Sequence, residues 1–385
     1  MDKTAKVSRE SNTASPFAIE IADLEKHFGT RKVLDELSFC VASGELLVVL
    51  GDSGCGKSTL LKLIAGLDRG QNGSIRIGGM EQTLVPPHKR DVALVFQDGN
   101  GYEHLTVQQN LELAAKSDPN GPIPYWVDGL KLGALLKQKL AQLSGGELQR
   151  VAIARAMISG KSIVLLDEPL AHLNQSLREE IRELILNAHA KTEKTFVYVT
   201  HDSEEAFYLA DRIAVLAEGR IQQIGSPRNV YMSSQTIQVA RLLGQPTIDI
   251  ITVPKSWLGE HDLREDSSIE CGARSHDWTI HRVEAATKDL TKIDKLNGLP
   301  CGVTRTDTGL KVRAWIDNCT WMGDRWLIEL NCPFKIRITC ESPAADPIEQ
   351  VLRLAATPKY EGSRRMPIGL LEATIERSCL QVFTN

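Results

Sequence analysis

An α/β layer fold followed by a smaller β-rich domain is what this sequence predicts, and three observations carry that prediction. Residues 17 to about 240 alternate short apolar strands with helical patterns, the pattern of a sheet covered by helices. Within them, Leu46-Leu47-Val48-Val49-Leu50 runs straight into a glycine-rich loop and then a helical pattern. From about residue 246 the texture changes. Convincing helices become few, and Lys311 to Asn331 alternates apolar and polar positions around a turn at Met322-Gly323-Asp324. Phe334, Ile336 and Ile338 continue the period of two, an antiparallel, barrel-like pattern.

At 385 residues the chain is too long for one ordinary core and suits two domains. Residues 1–16 are polar and read as a disordered lead-in. Gln245-Pro246 is the expected joint, giving domains over 17–245 and 246–385. The net charge is −4, so no global basic field points to nucleic acid, and none is expected as a partner. The longest apolar runs, Leu46 to Leu50 and Ile163 to Leu166, fall far short of the roughly 20 residues that cross a bilayer. Residues 1–16 also lack an apolar signal core. The expectation is a cytoplasmic protein whose membrane link, if any, runs through a partner. Eight cysteines without a CxxC pair read as free thiols in a reducing compartment.

The loop after Leu50 is Gly51-Asp52-Ser53-Gly54-Cys55-Gly56-Lys57-Ser58-Thr59, a GxxxxGKS pattern between strand and helix. Leu60, Leu61, Ile64 and Ala65 give the helix one apolar face. Glycines let backbone N–H groups converge on phosphate oxygens with no Cβ in the way. The helix start adds partial positive charge. Lys57 supplies a full charge for the outer phosphates, and Ser58 offers a hydroxyl to Mg²⁺. ATP and Mg²⁺ are therefore the expected ligands.

Ser162-Ile163-Val164-Leu165-Leu166-Asp167-Glu168-Pro169 is an apolar strand ending in two acids. A buried parallel strand holds Asp167 at the carboxyl edge of the sheet, beside the phosphate loop. There it suits Mg²⁺, while Glu168 suits the polarisation of an attacking water.

Leu143-Ser144-Gly145-Gly146-Glu147-Leu148-Gln149-Arg150, followed by the helical Val151-Ala152-Ile153-Ala154-Arg155-Ala156-Met157, lies between these two motifs. In that order the set resembles the ABC transporter ATP-binding subunits. The resemblance covers residues 18 to about 245. It is nearest to the importer ATPases of the maltose, polyamine, ferric-iron and sulfate type, on Gly78-Gly79, Pro86-Pro87, Tyr102, His104-Leu105-Thr106-Val107, Gly219-Arg220-Ile221, Gly225-Ser226-Pro227 and Val230-Tyr231.

The resemblance implies a P-loop NTPase cassette with a mixed sheet and a helical subdomain over about 98–160, followed by a TOBE- or MOP-like β domain. It implies that Phe28 stacks on adenine and that Gln97, in Val95-Phe96-Gln97-Asp98, reaches Mg²⁺ and the attacking water. His201, in Val199-Thr200-His201-Asp202, is implied as the switch histidine at the terminal phosphate. Ser144, Gly145 and Gly146 face the nucleotide of a second cassette, so a homodimer or paired cassette is expected. Other implied partners are permease subunits docking at about 97–106 and an extracytoplasmic solute-binding protein. The implied location is the cytoplasmic face of the plasma membrane, held peripherally. The competing readings are a soluble ABC ATPase, which one cassette without a heptad run disfavours, and an export-type subunit, which the trailing β domain disfavours.

Three departures from the family pattern carry expectations. Ala171-His172-Leu173-Asn174 stands where SxLD is usual, which suggests slower or asymmetric hydrolysis. Asp98-Gly99-Asn100-Gly101 is polar and glycine-rich, which suggests a loosened partner groove or one suited to an unusual partner. Pro122 and Pro124 interrupt a short helical pattern, which suggests a trimmed helical subdomain. In the tail, Trp315, Trp321 and Trp326 are expected in a core rather than on a ligand-sensing surface.

Overall fold

The computed structural model describes residues 16–99, 101–115, 123–171 and 173–244 with their side chains, and the backbone of strands set between residues 249 and 383. Residues 1–15, which hold nearly all of the expected lead-in, lie outside the described residues, as do Asn100, Pro122, His172, Gln245-Pro246, Met322-Gly323-Asp324 and Phe334. The chain divides into two compact units, 1–230 and 231–385.

The first unit begins with a long hairpin, β1 (Phe17–Phe28) and β2 (Arg31–Ala42), then β3 (Leu46–Leu50) and α1 (Lys57–Ala65). Next come β4 (Asn72–Ile77), β5 (Met80–Glu81) and β6 (Val92–Val95). Three helices follow, α2 (Val107–Ala115), α3 (Ile123–Gly129) and α4 (Gly145–Met157). The unit then alternates β7 (Ile163–Asp167), α5 (Gln175–Lys191), β8 (Thr195–Thr200), α6 (Ser203–Leu209), β9 (Arg212–Ala217) and β10 (Arg220–Gly225). Helix α7 (Pro227–Met232) follows, and α8 (Ile237–Leu242) lies in the second unit.

Two sheets form, one in the order β2-β1-β4-β5 and one in the order β10-β9-β3-β8-β7-β6. The first is antiparallel. The second is parallel from β9 to β6, with β10 antiparallel on its edge. Strands β3, β7 and β8 are buried along their whole length, which explains their unbroken apolar runs: parallel strands covered on both faces need no polar side. Leu60, Leu61 and Ile64 of α1 share one core with Ile19 and Ile21 of β1 and with Leu165, Val197 and Ala214 of the parallel sheet. The phosphate-loop helix is thus clamped between the two sheets.

The far end of α1 is finished by a buried cation. Arg90 donates to Leu63 O at 2.8 Å, Ile64 O at 2.7 Å and Val85 O at 2.9 Å. A guanidinium on helix-terminal carbonyls complements the helix dipole. Gly66, at φ 78°, leaves the space: a Cβ there would lie 2.5 Å from Arg90 Nε.

Close packing decides two features of the helical region. Gly99 and Gly101 are points of close approach. A Cβ on Gly99 would meet the Leu148 carbonyl carbon at 2.9 Å, and one on Gly101 would meet Leu140 at 2.2 Å. The glycines let this loop press onto the start of α4. Buried Asn110 then ties the loop to α2, accepting from Tyr102 N at 2.9 Å and donating to Tyr102 O at 3.1 Å. Pro124 does not interrupt a helix. It sits in the first turn of α3, where its missing N–H has no intrahelical partner to lose.

In the second unit, β11 (Asp249–Pro254), β12 (Ser268–Ala273), β13 (Trp278–Ala285), β14 (Gly302–Arg305), β15 (Gly309–Trp321) and β16 (Arg325–Asn331) are followed by β17 (Lys335–Glu341). The last strands are β18 (Tyr360–Glu361), β19 (Arg364–Arg365), β20 (Gly369–Glu376) and β21 (Gln381–Phe383). All described pairings there are antiparallel, along the orders β11-β12-β21 and β13-β20-β15-β16-β17, with β14 on β15. The pairing Trp321↔Trp326 places the expected hairpin across residues 322–324. The side chains of Trp315, Trp321 and Trp326 lie outside what the structure describes. Among the described residues no helix is long and apolar enough to cross a membrane.

Candidate functional site

The site is built at the carboxyl edge of the parallel sheet. Strand β3 delivers the chain into Gly51, whose N–H is held by Thr200 O at 3.3 Å across the neighbouring strand. Gly54 at φ 80° and Gly56 at φ 111° take left-handed backbone that a side chain resists, which folds the loop back over the start of α1. Asp52, Ser53 and Gly54 are exposed, whereas Gly51, Gly56 and Lys57 are buried.

Lys57 is 4% exposed, and its ammonium donates to Gly51 O at 2.8 Å and Asp52 O at 3.0 Å. It also lies 3.7 Å from Glu168 Oε1. The cation is thus held inside its own loop, aimed at the space that the loop surrounds. Ser58 donates to Asp167 Oδ1 at 2.9 Å. Burial pushes the Asp167 carboxyl above the usual carboxylate range; the Ser58 hydrogen bond opposes that rise, and the charge of Glu168 adds to it.

Glu168 begins just past β7, at φ 42°, with its N–H on Val199 O at 3.1 Å. A non-glycine residue at positive φ is uncommon and reflects local constraint. The turn swings the carboxylate off the strand line, so Oε1 approaches Lys57 and Oε2 approaches His201 Nδ1 at 3.3 Å. His201, 56% exposed, stands at the end of β8 as an open-faced partner to that carboxylate.

A cleft of about 470 Å³ is lined by Lys57, Ser58 and Glu168 of these groups, whereas Gly51, Asp52, Cys55, Asp167 and His201 are not among its lining residues. Its walls include Ser53, Gly54, Gly56, Lys57, Ser58 and Thr59 from the loop, together with Gln97 and Glu168. Phe28, Arg31 and Val33 also line it. The Phe28 ring is 54% exposed, with the Lys26 ammonium 4.7 Å from its centroid. Lys26 is itself fixed by Asp68 at 2.6 Å. Sequence reasoning missed Arg31 and Val33. The tight hairpin that pairs Phe28 with Arg31 brings them there, and Arg31 reaches Gly54 O at 3.5 Å. A short turn after an aromatic strand end was the available signal. Cys55 is a free, partly buried thiol whose pKa burial pushes up.

The donors suit a hard divalent cation. A hydroxyl and a carboxylate oxygen meet at Ser58 and Asp167, and the Gln97 amide lines the same cleft. Among the described residues no group of three or more His, Cys, Asp or Glu side chains gathers to cage a metal. Few protein ligands plus phosphate oxygens is how Mg²⁺ is usually held.

Ser144, Gly145 and Gly146 are not among the residues lining the cleft. Ser144 caps α4, and Ser144 and Gly145 are exposed. Both Ser144 donors, the N–H at 2.8 Å and the hydroxyl at 2.7 Å, go to Glu147 Oε2. Those hydrogen bonds hold the Glu147 carboxyl below its ordinary range. Asn174 caps α5, its Oδ1 accepting from Leu177 N at 3.0 Å.

Comparison with known proteins supplies an independent observation. The family model described as ABC transporter matches residues 34–171. The sn-glycerol-3-phosphate import ATP-binding protein UgpC 1 of Rhizobium etli is 41% identical over 258 residues, 66% of this chain and 74% of that protein. The sulfate/thiosulfate import ATP-binding protein CysA of Mycobacterium tuberculosis is 41% identical over 269 residues, 68% of this chain and 76% of that protein. A solved dimeric ATP-binding cassette in a post-hydrolysis state, bound to ADP and Pi, matches with TM-score 0.49 and 28% identity over 55% of this chain and 99% of that one.

Proposed function

The chain belongs to the ABC transporter family as an ATP-binding, ATP-hydrolysing subunit, and on that premise we propose that it powers solute import by hydrolysing ATP between two cassettes. The observation that carries the reading is that Lys57, Ser58 and Glu168 line one cleft, with Ser58 bonded to Asp167 and Glu168 beside His201. Phosphoryl transfer to water needs positioning and charge neutralisation more than covalent chemistry, and these groups supply both.

In this reading the loop amides of residues 51–56 and Lys57 hold the β- and γ-phosphates, with Thr59 beside them. Phe28 stacks on the adenine, its far side braced by Lys26. Glu168 accepts a hydrogen bond from the attacking water and takes its proton as the water O–P bond forms and the bond from the γ-phosphorus to the bridging oxygen breaks, releasing ADP and phosphate. His201 donates to a γ-phosphate oxygen and keeps the Glu168 carboxylate turned toward the water. Gln97 joins the water side of the cleft. Ser58, Asp167 and Gln97 would hold Mg²⁺, which when bound neutralises charge on the β- and γ-oxygens.

Ser144, Gly145 and Gly146 act on the nucleotide of a second copy, so that ATP favours the closed pair and its loss favours opening. The partners are permease subunits at about 97–106 and a solute-binding protein outside the membrane. A second cleft of about 320 Å³, walled by Leu94, Phe96, Tyr102, Leu113 and Arg155, supports that docking region. The chain then sits peripherally on the cytoplasmic face. The tail reads as a TOBE-like barrel, supported by the approach of β13 to β17, the two ends of the long strand order. The import proteins among the relatives favour import over export or a soluble role.

Steady-state ATPase assays on the full chain test this. Glu168→Gln is expected to lower kcat by roughly 100-fold or more while nucleotide stays bound. Undiminished turnover would remove Glu168 from its role.

A further inference from the structure

Between the end of β8 and the start of α6, three consecutive residues have three separate tasks. Thr200 ends the strand, His201 lies beside Glu168, and Asp202 caps the helix. What fixes the middle one is written in the hydrogen bonds of its neighbours.

Thr200 is 2% exposed, and its carbonyl and hydroxyl are both bonded. Its carbonyl accepts from Gly51 N, the first amide of the phosphate loop, at 3.3 Å. Its hydroxyl accepts from Asp202 N at 3.0 Å, a bond that spans His201. The same hydroxyl donates to Glu205 Oε2 at 2.9 Å. Glu205, on the first turn of α6, is 5% exposed, and its Oε2 also accepts from the Tyr198 hydroxyl at 2.8 Å. Asp202 Oδ1 accepts from Glu204 N at 2.8 Å and Glu205 N at 3.3 Å, which closes the loop of bonds. The histidine is therefore mounted on a ring of hydrogen bonds whose remote anchor is one buried carboxyl oxygen.

Burying a carboxyl costs free energy that an apolar side chain against Tyr198 would not. Burial raises the Glu205 pKa, as expected for a group kept from water, with its two hydrogen bonds opposing the rise. What the carboxyl provides in return is direction. It accepts the hydrogen bond of the Thr200 hydroxyl, so a Thr200 lone pair must face Asp202 N, and the His201 peptide is left one orientation. We propose that Glu205, acting through Thr200, is a positioning residue that sets the imidazole of His201 at the hydrolytic site. This rests on the reading of His201 as the group at the terminal phosphate.

The role is tested on the full chain by ATPase kinetics with MgATP. Glu205→Ala is expected to lower kcat by about 10- to 100-fold, as misplacement of a reacting group by about an ångström does. KM should stay within about twofold, because the phosphate loop keeps its own contacts. Glu205→Gln, whose carbonyl oxygen accepts both hydroxyls, should recover most of the loss. Thr200→Val removes the link without emptying the core, and should reproduce the alanine phenotype even where Glu205→Ala fails to fold. In a His201→Ala background, neither substitution should slow single-turnover hydrolysis further. An equal fold-loss with and without His201, or a KM effect with kcat unchanged, would mean Glu205 serves only folding and overturn the proposal. If His201→Ala alone hydrolyses ATP at the full rate, the histidine's role falls first and the inference with it.

Discussion

The two helix starts that we propose as anion sites are housed in opposite ways. Helix α1 rises from a loop locked between β3 and β8, with Lys57 buried and Ser58 bonded to a buried carboxylate. Helix α4 starts at an exposed serine whose two donors are already taken by its own Glu147. The first is preorganised by the core, and preorganised donors need no rearrangement to bind charge. The second is satisfied within its own turn and forms no part of the cleft in the same chain. In the proposed reading one copy carries a preorganised half-site and a detached one, and a second copy brings the two kinds together.

That contrast can be broken at either helix. Lys57→Ala should have the largest effect, lowering kcat/KM for MgATP by roughly 10³-fold, because it removes the only buried cation bonded within the described phosphate loop; stopped assays over a range of ATP measure it. Ser144→Ala should lower kcat by about 10- to 100-fold yet leave MgATP binding to dilute single copies unchanged, as equilibrium titration would register. A parallel loss of single-copy affinity would place Ser144 at its own chain's nucleotide and erase the distinction.

Stability sharpens the same comparison. Arg90→Ala should destabilise the first unit by about 3 kcal/mol, since it strips a partner from two carbonyls at the end of α1 and from Val85 O, and leaves a cavity; chemical denaturation followed by fluorescence would read this. Asn174→Asp should be the mildest change, within about 0.5 kcal/mol and within about twofold in ATPase rate. Asparagine already caps α5 through Oδ1, and aspartate offers the same oxygen. A several-fold faster aspartate variant would restore the expectation that this loop slows hydrolysis.

The sequence made the core half legible because its chemistry is contiguous. GxxxxGKS lies on one strand–loop–helix, and Asp167-Glu168 ends one apolar strand. Contributions from backbone conformation were not legible. The turn of Glu168 toward His201 depends on φ 42°, which no residue type announces. Gly99 and Gly101 looked like slack and are contact points, because glycine marks both freedom and close approach, and only packing decides between them. Arg90 and Glu205 were invisible as anchors, since a lone charged residue in sequence usually faces water. The period of two in Lys311 to Asn331 predicted the β15–β16 hairpin, because alternation depends only on local geometry.

The most direct test of the account is a mixing experiment. Lys57→Ala and Ser144→Ala chains, each also carrying Glu168→Gln, are combined with MgATP and followed by analytical ultracentrifugation with labelled nucleotide. Each alone should remain single, while the mixture should form pairs that retain one nucleotide, since one composite site is intact. A mixture that behaves as the sum of its separate components would contradict a site shared between copies.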